Sequence, residues 1–371
     1  MLKPSGDDIK FMQRCLDLAG YAEGRTYPNP MVGSVIVHNG SIIGEGYHLK
    51  AGEPHAERIA INSASDCELL KDSTLYVNLE PCNHYGKTPP CTEIIISSGI
   101  KKVVAGTTDT NDKVSGKGKA ALISSGCDVM TGVLENECRW INRRFFTFHE
   151  KKRPYIILKW AQSSDGFMDV ERESFTGRRP TWITGNAERV LVHRWRSAEQ
   201  SILAGAGTVR ADDPMLNLRF WPGEDPLRLI LSSSGSLDNN SAVFSSDGSA
   251  VVFTHNKSVS FSCDKVILDR ERSSAVQIAE YLYNSGIQSL FIEGGAGVLN
   301  HFIKEVLWDE ARVFSGKIKF GSGIKAPSAT GIIRSRAEYS GSNLEIIVNG
   351  VLGTKVSPPF FKEGWPDHKI I

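Results

Sequence analysis

The chain has 371 residues, 40% hydrophobic and 23% charged, a composition that excludes a disordered protein and favours two domains. A formal net charge of +1 gives no electrostatic reason to expect a nucleic-acid partner. No apolar run is long enough to cross a membrane, residues 1–8 lack a secretory signal, and seven cysteines fit a reducing compartment, so we predict a cytoplasmic protein.

The first third of the chain alternates between predicted helices and strands. Helices are predicted over 9–23, 55–64, 92–98 and 118–125, and strands over 32–37, 41–47, 73–79, 102–106 and 128–131. Asn39-Gly40 between the first two strands is typical of a hairpin turn. This alternation predicts an α/β sandwich around a mixed sheet.

A charged stretch over 149–153, closed by Pro154, predicts a linker between a domain at 1–148 and a domain at 154–371. The alternation then restarts, with strands predicted over 155–160, 201–203, 227–231, 250–253, 265–268 and 289–292 and helices over 187–197, 275–284 and 297–304. We interpret the serine-rich run over 232–249 as a loop. The second domain is therefore also predicted to be α/β.

The first domain contains residues that together can hold a zinc ion. His55-Ala56-Glu57 is followed downstream by Pro81-Cys82 and by Cys91. One imidazole and two thiolates leave the fourth zinc position open for water, which is the arrangement of a catalytic site. Zinc-dependent deaminases of nucleobases carry the same order of residues. We therefore predict that His55, Cys82 and Cys91 bind zinc.

Glu57 is predicted to be the catalytic acid and base of this site. Hydrolytic deamination adds water to a ring carbon and expels ammonia, and zinc lowers the pKa of its bound water from about 16 toward 7. Glu57 lies close enough to take the water proton, to protonate the ring nitrogen and, in a later step, to protonate the leaving amine.

Three segments of this domain extend the pattern beyond the zinc residues. They read PNPMVG at 28–33, HAE at 55–57 and EPCNHYGKTPPC at 80–91. These segments closely resemble the deaminase domain of the bifunctional riboflavin-biosynthesis deaminase/reductases. The resemblance implies a cytidine-deaminase-like α/β/α sandwich in which Glu57 shuttles protons. It also implies that Asn29, His48 and Lys87 contact the substrate, and an ammonium group at Lys87 suits a ribose phosphate.

The second domain resembles the reductase half of the same family. The matching segments read LKWAQSSDG at 158–166, WIT at 182–184, GTVRADDPMLNLR at 207–219 and EGGAG at 293–297. The glycine turn between a strand and a helix can bind a phosphate, although alone it is weak evidence. Pro180 stands where the family usually has serine, so that substrate contact is absent or moves to Thr181.

The resemblance implies a dihydrofolate-reductase-like domain that uses NADPH. The residues that would line the NADPH site are Ala161, Trp182, Thr208, Asp212, Gly295, Ala296, Gly297, Val298, Leu299, Asn300 and His301. The residues that would contact the substrate in this domain are Lys159, Arg196, Leu216, Arg219 and Glu293. Which residue would set the preference for NADPH over NADH stays open.

The implied function is a two-step conversion in riboflavin synthesis. The first domain would hydrolyse the 2-amino group of 2,5-diamino-6-(5-phosphoribosylamino)pyrimidin-4-one. The second would reduce the ribosyl group of the resulting uracil to ribityl with NADPH. The resemblance also implies a homo-oligomer, a dimer or tetramer formed through the reductase domain.

Two other interpretations remain open at this stage. The first is a deaminase of free nucleosides or nucleic-acid bases with an unrelated second domain, against which the eight residues between Cys82 and Cys91 argue. The second is a structural zinc site, which normally takes four protein ligands. His84 would have to be the fourth ligand.

Overall fold

The computed structural model describes residues 3–85, 89–110, 116–171, 181–245, 249–339 and 341–350. The chain divides by its contacts into two compact units, Met1–Arg153 and Pro154–Ile371. None of the described helices combines the length and the apolar character that a membrane crossing requires. Lys87, Pro180 and the C-terminal tail at 358–371 lie outside the described residues.

The first unit is built on a five-stranded mixed sheet. Its strands are β1 (Gly33–His38), β2 (Ser41–Tyr47), β3 (Thr74–Val77), β4 (Lys102–Ala105) and β5 (Asp128–Thr131). The order across the sheet is β2-β1-β3-β4-β5. Strand β1 runs antiparallel to both neighbours, while β3, β4 and β5 are parallel. The predicted turn between β1 and β2 has Asn39 and Gly40 at φ 47° and 77°, as a two-residue hairpin requires.

Helices cover both faces of this sheet. They are α1 (Gly6–Gly20), α2 (Ala56–Asn62), α3 (Cys91–Ser97), α4 (Lys117–Ser124), α5 (Glu135–Ile141) and α6 (Arg143–Lys151), with a 3₁₀ turn at Cys67–Asp72. On one face, Phe11 of α1 and Cys138 of α5 pack against Val35 of β1. On the other, α2, α3 and α4 bury residues such as Ile95 against β strands. The predicted α/β/α sandwich around a mixed sheet is therefore confirmed.

The second unit contains a nine-stranded sheet. Its strands and those of a separate pair are β6 (Tyr155–Gln162), β7 (Phe167–Asp169), β8 (Ser201–Gly205), β9 (Leu227–Leu231), β10 (Ala250–Thr254), β11 (Asp264–Ile267), β12 (Ser289–Ile292), β13 (Glu310–Gly316), β14 (Ile324–Lys325), β15 (Ile332–Glu338) and β16 (Ser342–Val348). The order is β11-β10-β9-β8-β12-β6-β13-β16-β15, and β14 pairs with β7. The strands from β11 to β13 are parallel, and β16 and β15 are antiparallel additions.

Four helices among the described residues of this unit pack against the sheet. They are α7 (Asn186–Ser197), α8 (Ala206–Asp212), α9 (Ser274–Asn284) and α10 (Ala296–Lys304), with a 3₁₀ turn at Ala242–Phe244. Ile278 of α9 and Phe302 of α10 join Leu158 of β6 in the core on one face. Val209 of α8 joins Ile157 of β6 in the core on the other. The predicted α/β fold of the second domain is thus also confirmed.

Several elements differ from the sequence interpretation. Helix α6 extends through 149–151, where a linker was predicted, and β13 was not predicted at all. Strand β13 has an unusual pattern because Glu310 and Arg312 are both buried and form an ion pair of 2.6 Å on it. Charged residues two apart on a strand share one face, so this buried face looks polar in the sequence.

Candidate functional site

The three predicted zinc ligands lie together at the starts of two helices. His55 is the N-cap of α2 and Cys91 is the first residue of α3, while Cys82 lies between β3 and α3. The His55 Nδ1 atom is 3.3 Å from the Cys91 Sγ atom and 3.5 Å from the Cys82 Sγ atom. Usual zinc bond lengths give a nitrogen–sulfur separation of about 3.6 Å in a tetrahedral site. The donor set and its spacing therefore fit zinc.

This group has three members and no fourth protein donor among the described residues. All three ligand atoms lie within 4.8 Å of one another, and His84 does not belong to the group. A tetrahedral ion held there would keep one position for water. This arrangement favours a catalytic site over the four-ligand structural alternative.

The pKa values of the two thiols shift in opposite directions. Hydrogen bonds from the Cys91 thiol and from His55 outweigh burial and lower the pKa of Cys82 to about 4. The backbone N–H of Cys91 also donates to the Cys82 sulfur at 3.4 Å. The neighbouring Cys82 sulfur and burial raise the pKa of Cys91. A cation between the sulfurs would favour both thiolates.

Glu57 lies in the first turn of α2, two residues beyond His55. Only 3% of it is exposed. Burial, followed by the negative charge of Cys82, raises the pKa of its carboxyl group above the ordinary value. A carboxyl group with a raised pKa holds a proton more readily than an ordinary one, as a group that both accepts and donates protons requires.

Two of the predicted substrate residues lie beside the metal-binding group. The His48 ring is 5.2 Å from the His55 ring, and its Nε2 atom is 3.0 Å from the Asn29 Nδ2 atom. The His48 Nδ1 atom faces the Pro54 carbonyl at 3.1 Å, so Nδ1 carries the hydrogen and Nε2 accepts from Asn29. Burial lowers the pKa of His48, which keeps this tautomer neutral.

Two asparagines that sequence reasoning missed hold the loop that carries Asn29. The backbone N–H of Met31 donates to Asn142 Oδ1 at 2.7 Å, and Asn142 Nδ2 donates to the Met31 carbonyl at 2.9 Å. Asn78 Nδ2 donates to the same carbonyl at 3.0 Å, and its Oδ1 accepts from Gly33 N at 2.8 Å. The amides thus act as backbone partners where no strand pairing is available.

Glu80 fixes the loop on the other side of the group. Its Oε1 atom accepts from the backbone N–H of Lys119 at 3.0 Å. Its Oε2 atom accepts from Gly116 N at 3.0 Å and from Asp109 N at 3.2 Å. Three backbone donors from another segment therefore anchor the residue that precedes Pro81-Cys82. The motif contained Glu80, but nothing in the sequence indicated these partners.

In the second unit, three predicted substrate residues form one buried cluster. Arg196 and Glu293 make a bidentate pair, with Nε–Oε1 at 2.5 Å and Nη2–Oε2 at 3.0 Å. The Lys159 Nζ atom is 3.7 Å from Glu293 Oε2. Burial alone would raise the pKa of Glu293, but the charges of Arg196 and Lys159 lower it to about 2. Burial lowers the pKa of Lys159.

The other two predicted substrate residues adjoin this cluster through Asn217. Arg196 Nη1 donates to the Asn217 carbonyl at 3.0 Å, and Arg219 Nη1 donates to Asn217 Oδ1 at 2.7 Å. Leu216 is buried and has a φ of 53°. Two guanidinium groups and one ammonium around one carboxylate leave a net positive charge, which suits an anionic ligand.

A cavity of about 590 Å³ lies at the carboxyl ends of β8, β9 and β12. Its lining residues are Gly205, Ala206, Gly207, Thr208, Arg210, Leu231, Ser232, Ser233, Ser234, Ser274, Gly295, Gly297, Val298 and His301. Ligands of α/β sheets usually bind at this edge. Of the predicted NADPH residues, Thr208, Gly295, Gly297, Val298 and His301 line the cavity. Ala296, Leu299 and Asn300 belong to α10, whose first turn borders it.

The remaining predicted NADPH residues lie elsewhere. Ala161 is on β6 and packs in the cluster around Phe314. Trp182 is 57% exposed, with the Arg189 guanidinium 4.3 Å from its ring centre. Asp212 ends α8. The structure does not bring these three to the cavity wall.

The cavity wall fits a phosphate-containing cofactor. Gly295, with φ 71°, is the N-cap of α10, and a Cβ atom there would lie 3.2 Å from Thr208 Oγ1. The bare glycine turn therefore exposes the start of α10, where backbone N–H groups favour anions. Among the described residues, the Ser232 hydroxyl has no hydrogen-bond partner although the residue is 1% exposed. A polar ligand would satisfy it.

Sequence reasoning missed the serines and Arg210 of this wall. The run at 232–234 was interpreted only as a loop. It directly follows β9, whose carboxyl end lies next to that of β8. The signal was therefore available, because hydroxyl groups after a parallel strand reach the ligand-binding edge.

Two family models match most of the chain. Residues 154–345 match the model described as the RibD C-terminal domain. Residues 5–107 match the cytidine and deoxycytidylate deaminase zinc-binding region. Both descriptions agree with the folds of the units in which they lie.

Relatives and solved structures cover both units. The riboflavin biosynthesis protein RibD of Aquifex aeolicus is 40% identical over 85% of this chain and 89% of its own length. That of Bacillus amyloliquefaciens is 39% identical over 86% of each chain. A diaminohydroxyphosphoribosylaminopyrimidine deaminase/5-amino-6-(5-phosphoribosylamino)uracil reductase from Thermotoga maritima superposes with a TM-score of 0.84 and 36% identity, covering 92% of this chain and 99% of that one. RibD of Acinetobacter baumannii gives 0.81 and 30%, covering 92% and 98%.

Proposed function

This chain belongs to the family of bifunctional riboflavin-biosynthesis deaminase/reductases, and on that premise we propose its two substrates. The first is 2,5-diamino-6-(5-phosphoribosylamino)pyrimidin-4-one, whose 2-amino group water replaces as ammonia leaves. The second is the product, 5-amino-6-(5-phosphoribosylamino)uracil, whose ribosyl group becomes ribityl. The observation that carries the proposal is the His55, Cys82 and Cys91 donor set beside a buried glutamate.

In the deaminase domain we assign a role to each site residue. His55, Cys82 and Cys91 would hold zinc, which would supply activated water at neutral pH. Glu57 takes one proton from the water and gives it to the ring nitrogen, then takes the second proton from the hydroxyl added to carbon and gives it to the leaving amine as ammonia departs. His48 stays neutral and fixed by Pro54, so it orients Asn29 toward the pyrimidine. Lys87, in the same motif, binds the ribose phosphate.

In the reductase domain the cavity would hold NADPH, which would supply the hydride. The glycine turn at Gly295 and the start of α10 are the groups that would bind its pyrophosphate. Glu293 holds Lys159 and Arg196 in place through the pairs described above. These two cations and Arg219 then bind the phosphorylated substrate near the ribosyl carbon that accepts the hydride.

The decisive experiment follows both reactions in one zinc-loaded preparation. Deamination of the diaminopyrimidine phosphate is measured by mass spectrometry, and reduction of the separately supplied uracil intermediate by NADPH consumption. We expect Glu57→Gln to lower deamination at least about 100-fold while zinc content and reduction stay unchanged. Glu68→Gln, whose side chain is 80% exposed, is the matched control and should change neither reaction.

Three results would count against the proposal. Full deamination by Glu57→Gln would remove its catalytic role. Turnover of cytidine or single-stranded nucleic acid in preference to the pyrimidine phosphate would favour the nucleoside-deaminase interpretation. Failure of the zinc- and NADPH-supplied protein to act on either pyrimidine would reject both substrates.

The family membership also supports proposals for the oligomeric state and the cellular location. We propose a homo-oligomer, a dimer or tetramer assembled through the reductase domain, in a cytoplasmic protein. Size-exclusion chromatography coupled to light scattering measures the mass in solution. A monomer at micromolar concentration would contradict the proposed homo-oligomer. Fractionation of cells that express the protein tests its location.

A further inference from the structure

The order of strands in the second unit gives the cofactor cavity a direction. Strands β9, β8, β12 and β6 are neighbours in that order, and all four are parallel. Lys159 lies on β6 and Glu293 directly follows β12, so the substrate cluster marks one end. The glycine turn at Gly295 comes next, at the carboxyl end of β12. The segment 232–236 directly after β9, called the serine loop below, marks the opposite end.

A dinucleotide that fills this cavity and also reaches the substrate cluster must lie along this direction. Its nicotinamide has to face the substrate cluster, and its pyrophosphate fits the start of α10. Its adenosine half must therefore extend over α8 toward the end of β9. Two strand spacings separate the glycine turn from the serine loop, about 10 Å, which is the scale of one nucleoside.

Arg210 occupies this adenosine end. It is the fifth residue of α8 and lines the cavity with Ser233 and Ser234. Its Nη1 atom donates to the Ser236 carbonyl at 3.0 Å, which holds the guanidinium beside the serine loop. The loop is itself ordered, because Ser236 N donates to Ser234 Oγ at 3.3 Å.

The charges of the side chains that line the cavity suit a ribose that carries a 2′-phosphate better than one with a free 2′-hydroxyl. Of the described lining residues, Arg210 alone carries an Arg or Lys side chain, and none is Asp or Glu. Sites that prefer NADH commonly use a carboxylate to accept the ribose 2′-hydroxyl. The Nε2 atom of His301 already accepts from Ala275 N at 3.2 Å, so this ring nitrogen is engaged within the protein.

We propose that Arg210 binds the 2′-phosphate of the cofactor, together with the serine loop after β9, and sets the preference for NADPH over NADH. The inference rests on the proposed reductase function. A guanidinium offers a planar pair of donors to phosphate oxygens. Loss of one charge-assisted contact weakens binding about 10-fold or more.

The test compares fragments that differ only at the 2′ position. Calorimetry gives the dissociation constants of 2′,5′-ADP and of 5′-AMP for the full-length wild type, Arg210→Gln and Arg210→Lys. For Arg210→Gln we expect a loss of about 10-fold or more for 2′,5′-ADP and less than about twofold for 5′-AMP. Arg210→Lys should lie between the two because it keeps the charge without the planar fork.

Controls separate the possible failures. Arg336→Gln, at a side chain 69% exposed on β15, should leave both constants unchanged, and thermal unfolding checks that each variant is folded. If the wild type binds NADPH tightly but Arg210→Gln loses nothing for 2′,5′-ADP, the role of Arg210 is refuted. Equal loss for both fragments would also refute it, since the effect would not depend on the 2′-phosphate. If the wild type binds neither NADPH nor NADH, the proposed reductase function itself fails.

Discussion

Replacing Glu80 by glutamine should loosen the start of α4 and, with it, the loop that carries Cys82. The carboxylate accepts three backbone hydrogen bonds, from Lys119, Gly116 and Asp109, and Glu80 is 4% exposed. An amide can keep at most the two bonds made by one oxygen. Its NH₂ group must then face a third N–H donor that is left without an acceptor.

The expected loss follows from these bonds. One bond to a charged acceptor disappears, one donor is left buried, and the two surviving bonds lose their charge assistance, for a total of about 3 kcal/mol. Local opening of α4 should therefore become about 100-fold more frequent. We also expect faster loss of zinc to a chelator, since Cys82 lies two residues away.

Hydrogen exchange read by mass spectrometry measures this opening in the deaminase domain alone, whatever the second domain does. Peptides over Lys117–Ser124 should exchange about 100-fold faster in Glu80→Gln than in the wild type. Peptides over α9 in the other domain serve as an internal reference, and Glu68→Gln is the matched variant. Exchange of α4 within threefold of the wild type would refute the anchoring role of Glu80.

Two further changes test other contacts. A Cβ atom added at Gly118 would clash with the Pro81 carbonyl oxygen, 1.9 Å away. One added at Gly6 would meet nothing within 4 Å. Gly118→Ala should therefore speed zinc release and Gly6→Ala should not; equal rates would contradict the packing. Burial, with the charges of Arg196 and Arg219, lowers the pKa of His193 to about 4. The folded protein should thus lose about 1–2 kcal/mol as pH falls from 6.5 to 4, once solvent screening of the imidazole is allowed for, because only the unfolded chain binds this proton. The variant His193→Asn can still accept from Arg219 N, and urea unfolding should show that it loses less free energy of unfolding over this pH range than the wild type. An identical pH profile for the two proteins would refute this.

The zinc-binding group could be predicted because its chemistry restricts the sequence. Only a few side chains bind zinc, and a catalytic site needs three of them with an acid nearby. The β1–β2 hairpin was predictable for a similar reason, since Asn39 and Gly40 adopt the positive φ angles that few residues tolerate. Such features depend on residue type and local spacing alone.

Features that depend on distant partners could not be predicted in this way. Met31 and Asn142 are 111 residues apart, and an asparagine in the sequence does not reveal which backbone it will bind. The ion pair of Glu310 and Arg312 disguised a buried strand as a polar segment. Helix α6 was missed because its last turn is charged, with His149 and Lys151 near its end, a composition that also suits a linker.

Strand β6 divides its residues between two opposite sides of the reductase sheet. Ile156, Leu158 and Trp160 pack among α9 and α10, while Tyr155 and Ile157 pack on the other side. Lys159 has the same parity as Ile157 and so projects to that second side. Deleting one residue before Lys159 would exchange the two sides of the strand and place the Lys159 ammonium group in the apolar core. Mutational scans of this gene should therefore find that β6 tolerates exchanges between apolar residues of similar size in its core but rejects nearly every one-residue deletion.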